Sequence, residues 1–249
     1  MNILIGGKLG DFIHCMYVPF YLYKTTGMRS NIFICDSGNS YFNNANFEFG
    51  LQNTFRELIP IVMQQEYVKS FNIWSGEKID INTIKFRDSE FLYKTCWTEI
   101  LTNTFFGVSQ KPLHGAWMRY NKSETQKKST LLISRKVKNP MTSKLVDAYE
   151  KEIKKYENAI YLGTPENYDQ FPLKHLCQNQ NPQTLSDWFF SMNSAEAFLA
   201  NQSGPGAMAC ALNVPRVIEL LPKATHLDDI HYIGEAKYSD KISFIYPEN

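Results

Sequence analysis

The segment around Asp11 combines a glycine turn, a lysine and a carboxylate at a spacing that suits anion binding and proton transfer. Residues 2–5 are an apolar run that predicts a short buried strand, and the Gly-Gly-Lys-Leu-Gly sequence of residues 6–10 interrupts it. A helical pattern begins at Asp11, which is therefore predicted to be the N-cap, with its carboxylate near the positive end of the helix dipole. A strand, a glycine turn and a helix N-terminus predict an anion site, to which Lys8 adds positive charge and Gly10 a close backbone approach.

Further polar residues and glycines directly follow predicted strands in the second half of the chain. They are Arg135 and Lys136 after residues 130–134, Gly163 and Glu166 after residues 159–162, and Gln202, Ser203 and Gly204 after residues 197–200. The turn at Ser203 and Gly204 precedes an Ala-rich helix whose first backbone N–H groups can bind phosphate. Arg135 or Lys136, just past the end of a strand, would add positive charge. Together these residues predict a phosphate site.

The same residues also have purely structural interpretations, which the sequence leaves open. Asp11 can be only a helix cap, and the glycines before it only a turn. Arg135 can be a solvated strand end, and Glu166 can be a first-turn acid of the helix that Pro165 begins. His14, one helical turn after Asp11, is interpreted as a packed or hydrogen-bonded side chain rather than a catalytic one.

A dinucleotide-binding interpretation of the N-terminal turn conflicts with the glycine spacing. If Gly7 and Gly10 were the second and third glycines of a G-x-G-x-x-G fingerprint, the first position would be Ile5. Asp36, which follows the apolar run of residues 32–35, could serve as the acid that binds a ribose. A nicotinamide-dependent oxidoreductase that uses Gly7, Gly10 and Asp36 therefore stays as an alternative.

The apolar pattern predicts strands that alternate with helices. Strands are predicted at residues 2–5, 31–35, 68–74, 79–81, 130–134, 159–162, 197–200 and 217–220. Helices are predicted from residue 11 onward and at residues 55–65, 91–106, 143–156, 184–191 and 207–212. Pro19 lies inside the first helical pattern and predicts a kink or an early helix end. The tail after residue 220 is predicted to be less regular.

The polar segment of residues 121–129 predicts a linker between two domains, residues 1–122 and residues 130–249. Because strands and helices alternate in both halves, each domain is expected to be an α/β layer structure with a parallel, Rossmann-like sheet. Two such domains joined by a linker predict a ligand cleft between them.

Composition and charge exclude several classes of protein. A net charge of +1 over 249 residues gives no electrostatic footprint for a nucleic-acid partner. The five cysteines are scattered and never in C-x-x-C spacing, which predicts reduced, mostly buried thiols and no zinc site. No apolar run reaches about 18 residues and no signal-peptide pattern is present, so we expect a cytoplasmic chain without a transmembrane segment, either free or peripheral at the inner face of a membrane.

Three segments together carry a family resemblance: Lys8–His14, Gly163–Glu166 and Asn201–Pro215. The first is similar to the Gly-Asp segment of the inverting glycosyltransferases of the heptosyltransferase type (glycosyltransferase family 9), which have the GT-B fold. The second is similar to the segment of that family whose acid contacts the nucleotide. The third resembles the family's Asp-Ser/Thr-Gly-x-x-His segment, which holds the phosphates and the sugar of the donor. The resemblance touches both halves of the chain in the family's order.

The resemblance implies transfer of a sugar from a nucleotide-diphosphate donor to an acceptor hydroxyl, with inversion and with Asp11 as the general base. The first domain would lie on the acceptor side and the second would bind the nucleotide-sugar. The implied donor- and phosphate-binding residues are Lys8, Gly10, Arg135, Lys136, Gly163, Glu166, Gln202, Ser203 and Gly204. No cofactor is expected. Because no Asp-x-Asp pair ends a suitable strand, the helix dipole and basic side chains would replace a divalent metal. The acceptor is expected to be a glycan or a lipid-linked glycan.

Two positions depart from the family pattern. Gln202 stands where the family has Asp, and Ala207 where it has His. Both departures fall on the donor side. Because phosphate contacts do not depend on the base of the nucleotide, ADP, GDP and UDP sugars all stay open as donors. They also keep open a rival from another class, a non-catalytic nucleotide- or glycan-binding protein on the same fold.

Overall fold

A computed structural model describes residues 1–36, 47, 49–120, 130–135, 140–201, 203–220 and 229–246. The chain divides into two compact units, Met1–Asn121 and Lys122–Asn249. The predicted domains, residues 1–122 and 130–249, place their boundary in the segment 121–129, which lies outside the described residues.

The first unit is built on a parallel sheet of four strands in the order β3-β2-β1-β4. Its elements are β1 (Asn2–Gly6), α1 (Leu9–Cys15), α2 (Tyr17–Thr26), β2 (Ser30–Cys35), α3 (Leu51–Val62), β3 (Val68–Ile73), β4 (Ile81–Asn82), a 3₁₀ helix (Thr83–Asp88) and α4 (Trp97–Phe106). In β1, Ile3 lies opposite Ile32 on one side and Ile81 on the other. A strand that pairs on both sides and is covered on both faces must be apolar throughout, which is why β1 reads as a continuous apolar run.

The first helix breaks as Pro19 predicts. α1 ends at Cys15, Met16 lies between the two helices, and α2 begins at Tyr17. A proline has no N–H for the carbonyl group four residues earlier, here that of Cys15, and its ring clashes with that group. The predicted kink is confirmed.

The helix predicted at residues 91–106 begins later, at Trp97. The residues before it form turns, with Tyr93 in the left-handed region at φ = 61° and Cys96 extended as the N-cap. Leu92 and Cys96 are buried all the same. Helical spacing therefore identified the right buried side chains, but a compact set of turns buries them as well as a helix does.

The second unit is built on a parallel sheet of six strands in the order β10-β9-β8-β5-β6-β7. Its elements are β5 (Thr130–Ser134), α5 (Ser143–Ile153), β6 (Asn158–Leu162), α6 (Pro165–Asp169), a 3₁₀ helix (Lys174–Leu176), β7 (Gln178–Gln180), α7 (Leu185–Asn193), β8 (Ala197–Asn201), α8 (Gly204–Leu212), β9 (Arg216–Glu219), α9 (Asp229–Glu235) and β10 (Ile242–Ile245). Thr184 caps α7 by accepting from the N–H of Asp187.

Several elements of this unit, among them β7, α9 and β10, escaped the sequence pattern. β7 is polar and exposed throughout, so it has no apolar run. The tail after residue 220 was predicted to be less regular, and this is wrong for residues 229–245, which contain α9 and β10. β10 is an edge strand that pairs only with β9. α8 begins at Gly204 rather than at residue 207, because Pro205 fits the first turn of a helix, where its missing N–H is not needed.

Each sheet contains one point at which the strand order reverses. In the first sheet the chain moves outward from β1 to β2 and β3, then returns to the other side of β1 as β4. In the second it moves from β5 to β6 and β7, then returns to the other side of β5 as β8. The loops that follow two such strands diverge and leave a crevice at the carboxyl ends, where α/β proteins bind ligands. The two crevices therefore lie after β1 and β4 and after β5 and β8.

The cysteines agree with the prediction of mostly buried thiols. All five cysteines are free, and Cys15, Cys35, Cys96 and Cys210 are buried. Burial raises the pKa of the Cys15 thiol to about 12, so this group is an unreactive core residue. Over the described part of the chain, none of the helices has the length and apolarity needed to cross a bilayer.

Candidate functional site

The crevice of the first sheet contains Asp11, the third residue of α1. Lys8 is the N-cap of this helix, so the prediction that Asp11 would cap it is wrong: the chain already turns helical at Leu9. The Asp11 side chain is 6% exposed, and its Oδ2 accepts from the backbone N–H of Lys8 at 3.4 Å. The carboxylate thus reaches back to the N-cap amide from inside the first turn, as the acid of a capping box does.

The other carboxylate oxygen of Asp11, Oδ1, accepts a hydrogen bond from Nη2 of Arg87. Arg87 lies on the 3₁₀ helix that follows β4, so the pair joins the two sides of the crevice. The guanidinium also lies over the rings of Phe86 and Trp97, with centroid distances of 4.7 and 5.4 Å. Aromatic faces attract a cation at these distances.

Sequence reasoning missed Arg87. It is 76 residues from Asp11, and no local motif connects the two. The available signal was its place shortly after the short predicted strand at residues 79–81. A basic residue after a second strand could have been paired with Asp11 only if the strand order had been known.

Gly7 is required by the position of Asp11. Its φ is +96°, a conformation that side-chain-bearing residues rarely adopt, and a Cβ there would lie 3.0 Å from Oδ2 of Asp11. Lys8 is exposed and Gly10 is the second residue of α1. The structure therefore brings Lys8, Gly10 and Asp11 together in one turn, as predicted from their spacing.

The crevice of the second sheet contains Arg135, which directly follows β5, and its side chain is 3% exposed. Its Nε and Nη2 donate to Oε2 and Oε1 of Glu219 at 2.7 and 2.9 Å, a two-bond pair with the last residue of β9. Tyr149 of α5 donates its hydroxyl to Oε2 of the same carboxylate at 2.6 Å. A phosphate would have to compete with Glu219 for this guanidinium, so the Arg135 side chain suits a structural anchor better than a phosphate ligand.

The ionisation of this buried group follows from its contacts. Burial by itself disfavours the charge on Arg135, but the hydrogen bonds and charge of Glu219 outweigh it and raise the arginine pKa above its usual value. Burial, reinforced by the negative charge of Glu219, raises the pKa of Tyr149 well above its usual 10.0. The group therefore holds a charged arginine and a neutral tyrosine around the Glu219 carboxyl group across the whole physiological range.

Gly163 and Glu166 follow β6, the strand that pairs with β5, and Glu166 lies in α6. A Cβ on Gly163 would lie 2.8 Å from Cε1 of Tyr161, whose hydroxyl donates to the backbone carbonyl of Arg135 at 2.8 Å. The close packing of the Tyr161 ring is therefore sufficient to explain why a glycine stands at position 163. Glu166 is an exposed first-turn acid of α6, and its own backbone N–H, followed by the Thr164 side chain, lowers its pKa.

Ser203 and Gly204 begin α8 on the other side of the second crevice. Ser203 is the N-cap, but its hydroxyl donates to the Asn201 carbonyl at 3.2 Å instead of accepting from the helix. A Cβ on Gly204 would meet nothing within 4 Å, so the backbone is open to a ligand at this position. Two further predicted residues, Lys136 and Gln202, lie outside the described residues.

A cavity of about 480 Å³ opens beside Arg135 in the second unit. Its lining includes Met141, Tyr161, Gln170 and Phe171. This volume falls within the range of small-molecule sites, and the lining is mainly apolar with a few polar groups, as such sites are. The end of β5 therefore borders a space large enough for part of a nucleotide.

The N-terminal turn does not fit the glycine spacing that a nicotinamide-dependent oxidoreductase would need. The first glycine position of the dinucleotide fingerprint is taken by Ile5, a buried residue of β1 where a turn would be needed, and this argues against that fingerprint. Asp36 follows β2, the strand next to β1.

Among the residues that the structure describes, no three His, Cys, Asp or Glu side chains are grouped as a metal ion would need.

Solved structures with the same architecture include three glycosyltransferases. A family 9 glycosyl transferase from Veillonella parvula DSM 2008 is 10% identical, with a TM-score of 0.61 over 98% of this chain and 85% of its own. ADP-heptose LPS heptosyltransferase II from E. coli is 12% identical, with a TM-score of 0.55 over 98% and 90%. E. coli heptosyltransferase WaaC with ADP is 11% identical, with a TM-score of 0.57 over 99% and 93%. No family model and no curated protein sequence matches the chain.

At this level of identity the matches establish the fold. The chain has the α/β architecture of these glycosyltransferases, with a parallel sheet in each of its two units. The predicted GT-B-like fold class and the predicted resemblance to family 9 are therefore confirmed at the level of fold. The roles assigned to individual residues stay predictions.

Proposed function

We propose that this chain is a glycosyltransferase that moves a sugar from a nucleotide-diphosphate donor to an acceptor hydroxyl, with inversion at the anomeric carbon. The observation that carries the proposal is the position of Asp11, a carboxylate in the first turn of α1, in the crevice where the first sheet reverses its strand order. Ligands of parallel α/β sheets bind at such crevices. The fold shared with family 9 glycosyltransferase structures supports this choice of chemistry over others that a carboxylate could perform.

Asp11 acts as the general base in this proposal. An acceptor hydroxyl is a far weaker acid than a carboxylic acid, so its proton moves to Asp11 only as the oxygen attacks the anomeric carbon. The bond to the acceptor oxygen forms as the bond to the diphosphate breaks, and this single displacement inverts the configuration. A base of this kind contributes roughly 10²–10⁴-fold to the rate.

The departing diphosphate is stabilised by the start of α8. The backbone N–H groups of its first turn carry the positive end of the helix dipole, and Gly204 leaves them accessible. The other donor-binding residues of the proposal are Lys8, Gly10, Lys136, Gly163, Glu166, Gln202 and Ser203. Arg135 contributes by holding the end of β5, since its guanidinium is paired with Glu219. The start of α8 and the side chains of Lys8 and Lys136 would balance the diphosphate charge without a divalent metal.

The acceptor in this proposal is a glycan or a lipid-linked glycan, and the enzyme works in the cytoplasm or at the inner face of a membrane. ADP, GDP and UDP are all allowed as the nucleotide, because backbone amides bind the phosphates of each alike.

A thermal-shift panel of nucleoside diphosphates and their sugars identifies the donor. One nucleotide should raise the unfolding midpoint, since a ligand at a hundredfold excess over its Kd stabilises the folded chain by about 2.7 kcal/mol. EDTA should leave that shift in place. No stabilisation by any nucleotide or nucleotide-sugar at millimolar concentration, or stabilisation by NAD alone, would reject the proposal.

Asp11→Asn tests the base. With the identified donor, transfer should fall roughly 10²–10⁴-fold while the donor-induced thermal shift persists. Asp169→Asn is the matched control, because Asp169 is an exposed carboxylate of the second unit that forms a salt bridge with Lys174, and it should transfer at the wild-type rate. Transfer by Asp11→Asn within a few-fold of wild type would remove Asp11 from the mechanism.

A non-catalytic nucleotide- or glycan-binding protein is the second candidate. The observation in its favour is that both carboxylate oxygens of Asp11 already accept hydrogen bonds and the side chain is only 6% exposed. Such a protein would give the nucleotide thermal shift but would release no diphosphate from any nucleotide-sugar, with or without acceptor.

A further inference from the structure

One ion pair crosses the crevice of the first sheet. Asp11 stands on the helix after β1, and Arg87 stands on the 3₁₀ helix after β4. Both side chains are largely buried, 6% and 11% exposed. The strands that carry them are adjacent, but the residues are 76 positions apart, so the pair depends on the strand order.

The Asp11 carboxylate is restrained on three sides. Arg87 donates to Oδ1, the Lys8 backbone N–H donates to Oδ2, and Gly7 leaves room for Oδ2 because a Cβ there would lie only 3.0 Å away. Of these three, only the arginine is a side chain, and only the arginine comes from another element. Removing it would free rotation of the carboxylate about its χ angles without altering α1.

Arg87 is itself held in place from behind. Its guanidinium lies over Trp97, the first residue of α4, and the Trp97 ring stacks on His14 with centroids 4.4 Å apart and planes 17° apart. His14 lies one helical turn after Asp11 on α1. The contacts therefore form a closed circuit, Asp11 to Arg87 to Trp97 to His14 and back to Asp11 through α1. A closed circuit of this kind fixes the guanidinium before any ligand binds.

We propose that Arg87 is a positioning residue that orients the Asp11 carboxylate for sugar transfer, and this proposal rests on the glycosyltransferase function proposed above. Arg87 acts through Asp11 and takes no proton itself, because a guanidinium stays protonated in proteins. Proton transfer needs the accepting oxygen within hydrogen-bond reach of the acceptor hydroxyl, and a misplacement of about 1 Å can lower a rate about 10²-fold.

Kinetic analysis of Arg87→Met, Arg87→Lys and Asp11→Asn, alone and combined, separates positioning from other roles. Arg87→Met should lower kcat about 100-fold and leave the donor KM within about twofold of wild type. Arg87→Lys, which keeps the charge, should recover part of the loss. In the Asp11→Asn background, Arg87→Met should cause no further loss, because residues that act as a unit are not additive. Arg56→Met, at an exposed arginine of the same unit, is the control and should match wild type.

Two kinetic outcomes overturn the proposal. A further loss of tenfold or more when Arg87→Met is added to Asp11→Asn would mean that Arg87 acts independently of Asp11. A fall in activity that parallels a fall in the folded fraction, with no recovery in Arg87→Lys, would reduce Arg87 to a structural role.

A measurement without turnover separates this proposal from the proposed function. In the chain labelled with ¹³C at the aspartate carboxyl carbons, the Asp11 resonance is the one missing in Asp11→Asn. At pH 7 it should shift and broaden in Arg87→Met and stay unchanged in Arg56→Met. An unchanged resonance in Arg87→Met would overturn the pairing itself. If the resonance shifts in Arg87→Met but the wild-type chain transfers no sugar, the pairing stands and the proposed function is overturned, and with it the role of Arg87 in that reaction.

Discussion

Both sheets place an arginine–carboxylate pair at the carboxyl ends of their strands, and the two pairs are built differently. In the second unit, Arg135 and Glu219 share two hydrogen bonds, Tyr149 adds a third, and the side chains are 3% and 2% exposed. In the first unit, Arg87 bonds to one oxygen of Asp11, the other oxygen accepts a long 3.4 Å bond from a backbone N–H, and the side chains are 11% and 6% exposed.

The difference separates an ion pair that stabilises a fold from one that can serve a reaction. A buried carboxylate with short bonds to both oxygens has little capacity for a ligand, and breaking its pair leaves an uncompensated charge in the interior. A carboxylate that accepts one hydrogen bond at each oxygen keeps a lone pair on each for another donor. The Arg135 pair therefore anchors the end of β5 to β9, whereas in our proposal the Asp11 pair orients a group that can still accept a proton.

The largest expected effect is the contrast in stability between the two arginines. Arg135→Met should lower the free energy of unfolding by about 3–5 kcal/mol, because it leaves Glu219 buried without its partner. Arg87→Met should lower it by about 1.5–3 kcal/mol, since it removes one hydrogen bond between charged groups at a slightly exposed site. Urea unfolding of the two variants measures both values. Equal losses, or a larger loss for Arg87→Met, would contradict the claim that the Arg135 pair stabilises the fold more than the Arg87 pair does.

The next effect is that of Tyr149→Phe, which sharpens the description of the second pair. It removes the 2.6 Å bond to Oε2 of Glu219 and should cost about 1.5–3 kcal/mol, the usual contribution of a hydrogen bond to a charged group. Tyr168→Phe is the matched control, because the Tyr168 hydroxyl donates to the neutral backbone carbonyls of Lys174 and Cys177. If Tyr149→Phe lowers the free energy of unfolding no more than Tyr168→Phe does, the hydrogen bond to Glu219 contributes no more stability than a hydrogen bond to a neutral carbonyl.

Gly7→Ala tests the Asp11–Arg87 pair through Oδ2 of Asp11, the carboxylate oxygen that does not accept from Arg87. A methyl group at φ = +96° costs about 1–2 kcal/mol in backbone strain and meets Oδ2 of Asp11. Unlike Arg87→Met, it displaces the carboxylate while leaving the arginine intact, so transfer should fall as it does in Arg87→Met. Gly50→Ala, at φ = +77° with nothing within 4 Å of its Cβ, is the control for strain alone. Equal activity in the two variants would show that the contact with Asp11 is unimportant.

The smallest effect is the alkaline loss of stability that Tyr149 contributes. Since burial raises its pKa well above 10.0, the folded chain keeps a proton that the unfolded chain releases as the pH rises past 10. The unfolded state then binds fewer protons, so the contribution of Tyr149 is complete below pH 10 and declines above it. At pH 10.5 the decline is about 0.8 kcal/mol. The difference in unfolding free energy between wild type and Tyr149→Phe should shrink by that amount between pH 8 and pH 10.5, and a constant difference would contradict the assignment.

The strands that carry the candidate site could be predicted from the sequence because they are buried on both faces. β1, β5, β6 and β8 each read as an uninterrupted apolar run that ends in glycines or polar residues. β7 could not be predicted in this way, because its three residues are polar and exposed, so that backbone pairing rather than side-chain burial makes this segment a strand. β10 was missed although its two terminal isoleucines, Ile242 and Ile245, are buried. The start of α4 was misplaced for a similar reason, since turns at residues 91–96 bury the same side chains as a helix would.

The sequence by itself determined the alternation of strands and helices, the helix break near Pro19 and the turn that holds Lys8, Gly10 and Asp11, because each of these depends on residues close together in the chain. Only the tertiary structure decided what the charged side chains contact. Arg135 was expected at a phosphate and lies against Glu219, and Asp11 was expected at a helix cap and pairs with Arg87. The partner of a charge depends on which strands are neighbours, and strand order is set by the packing of the whole sheet rather than by any local run of residues.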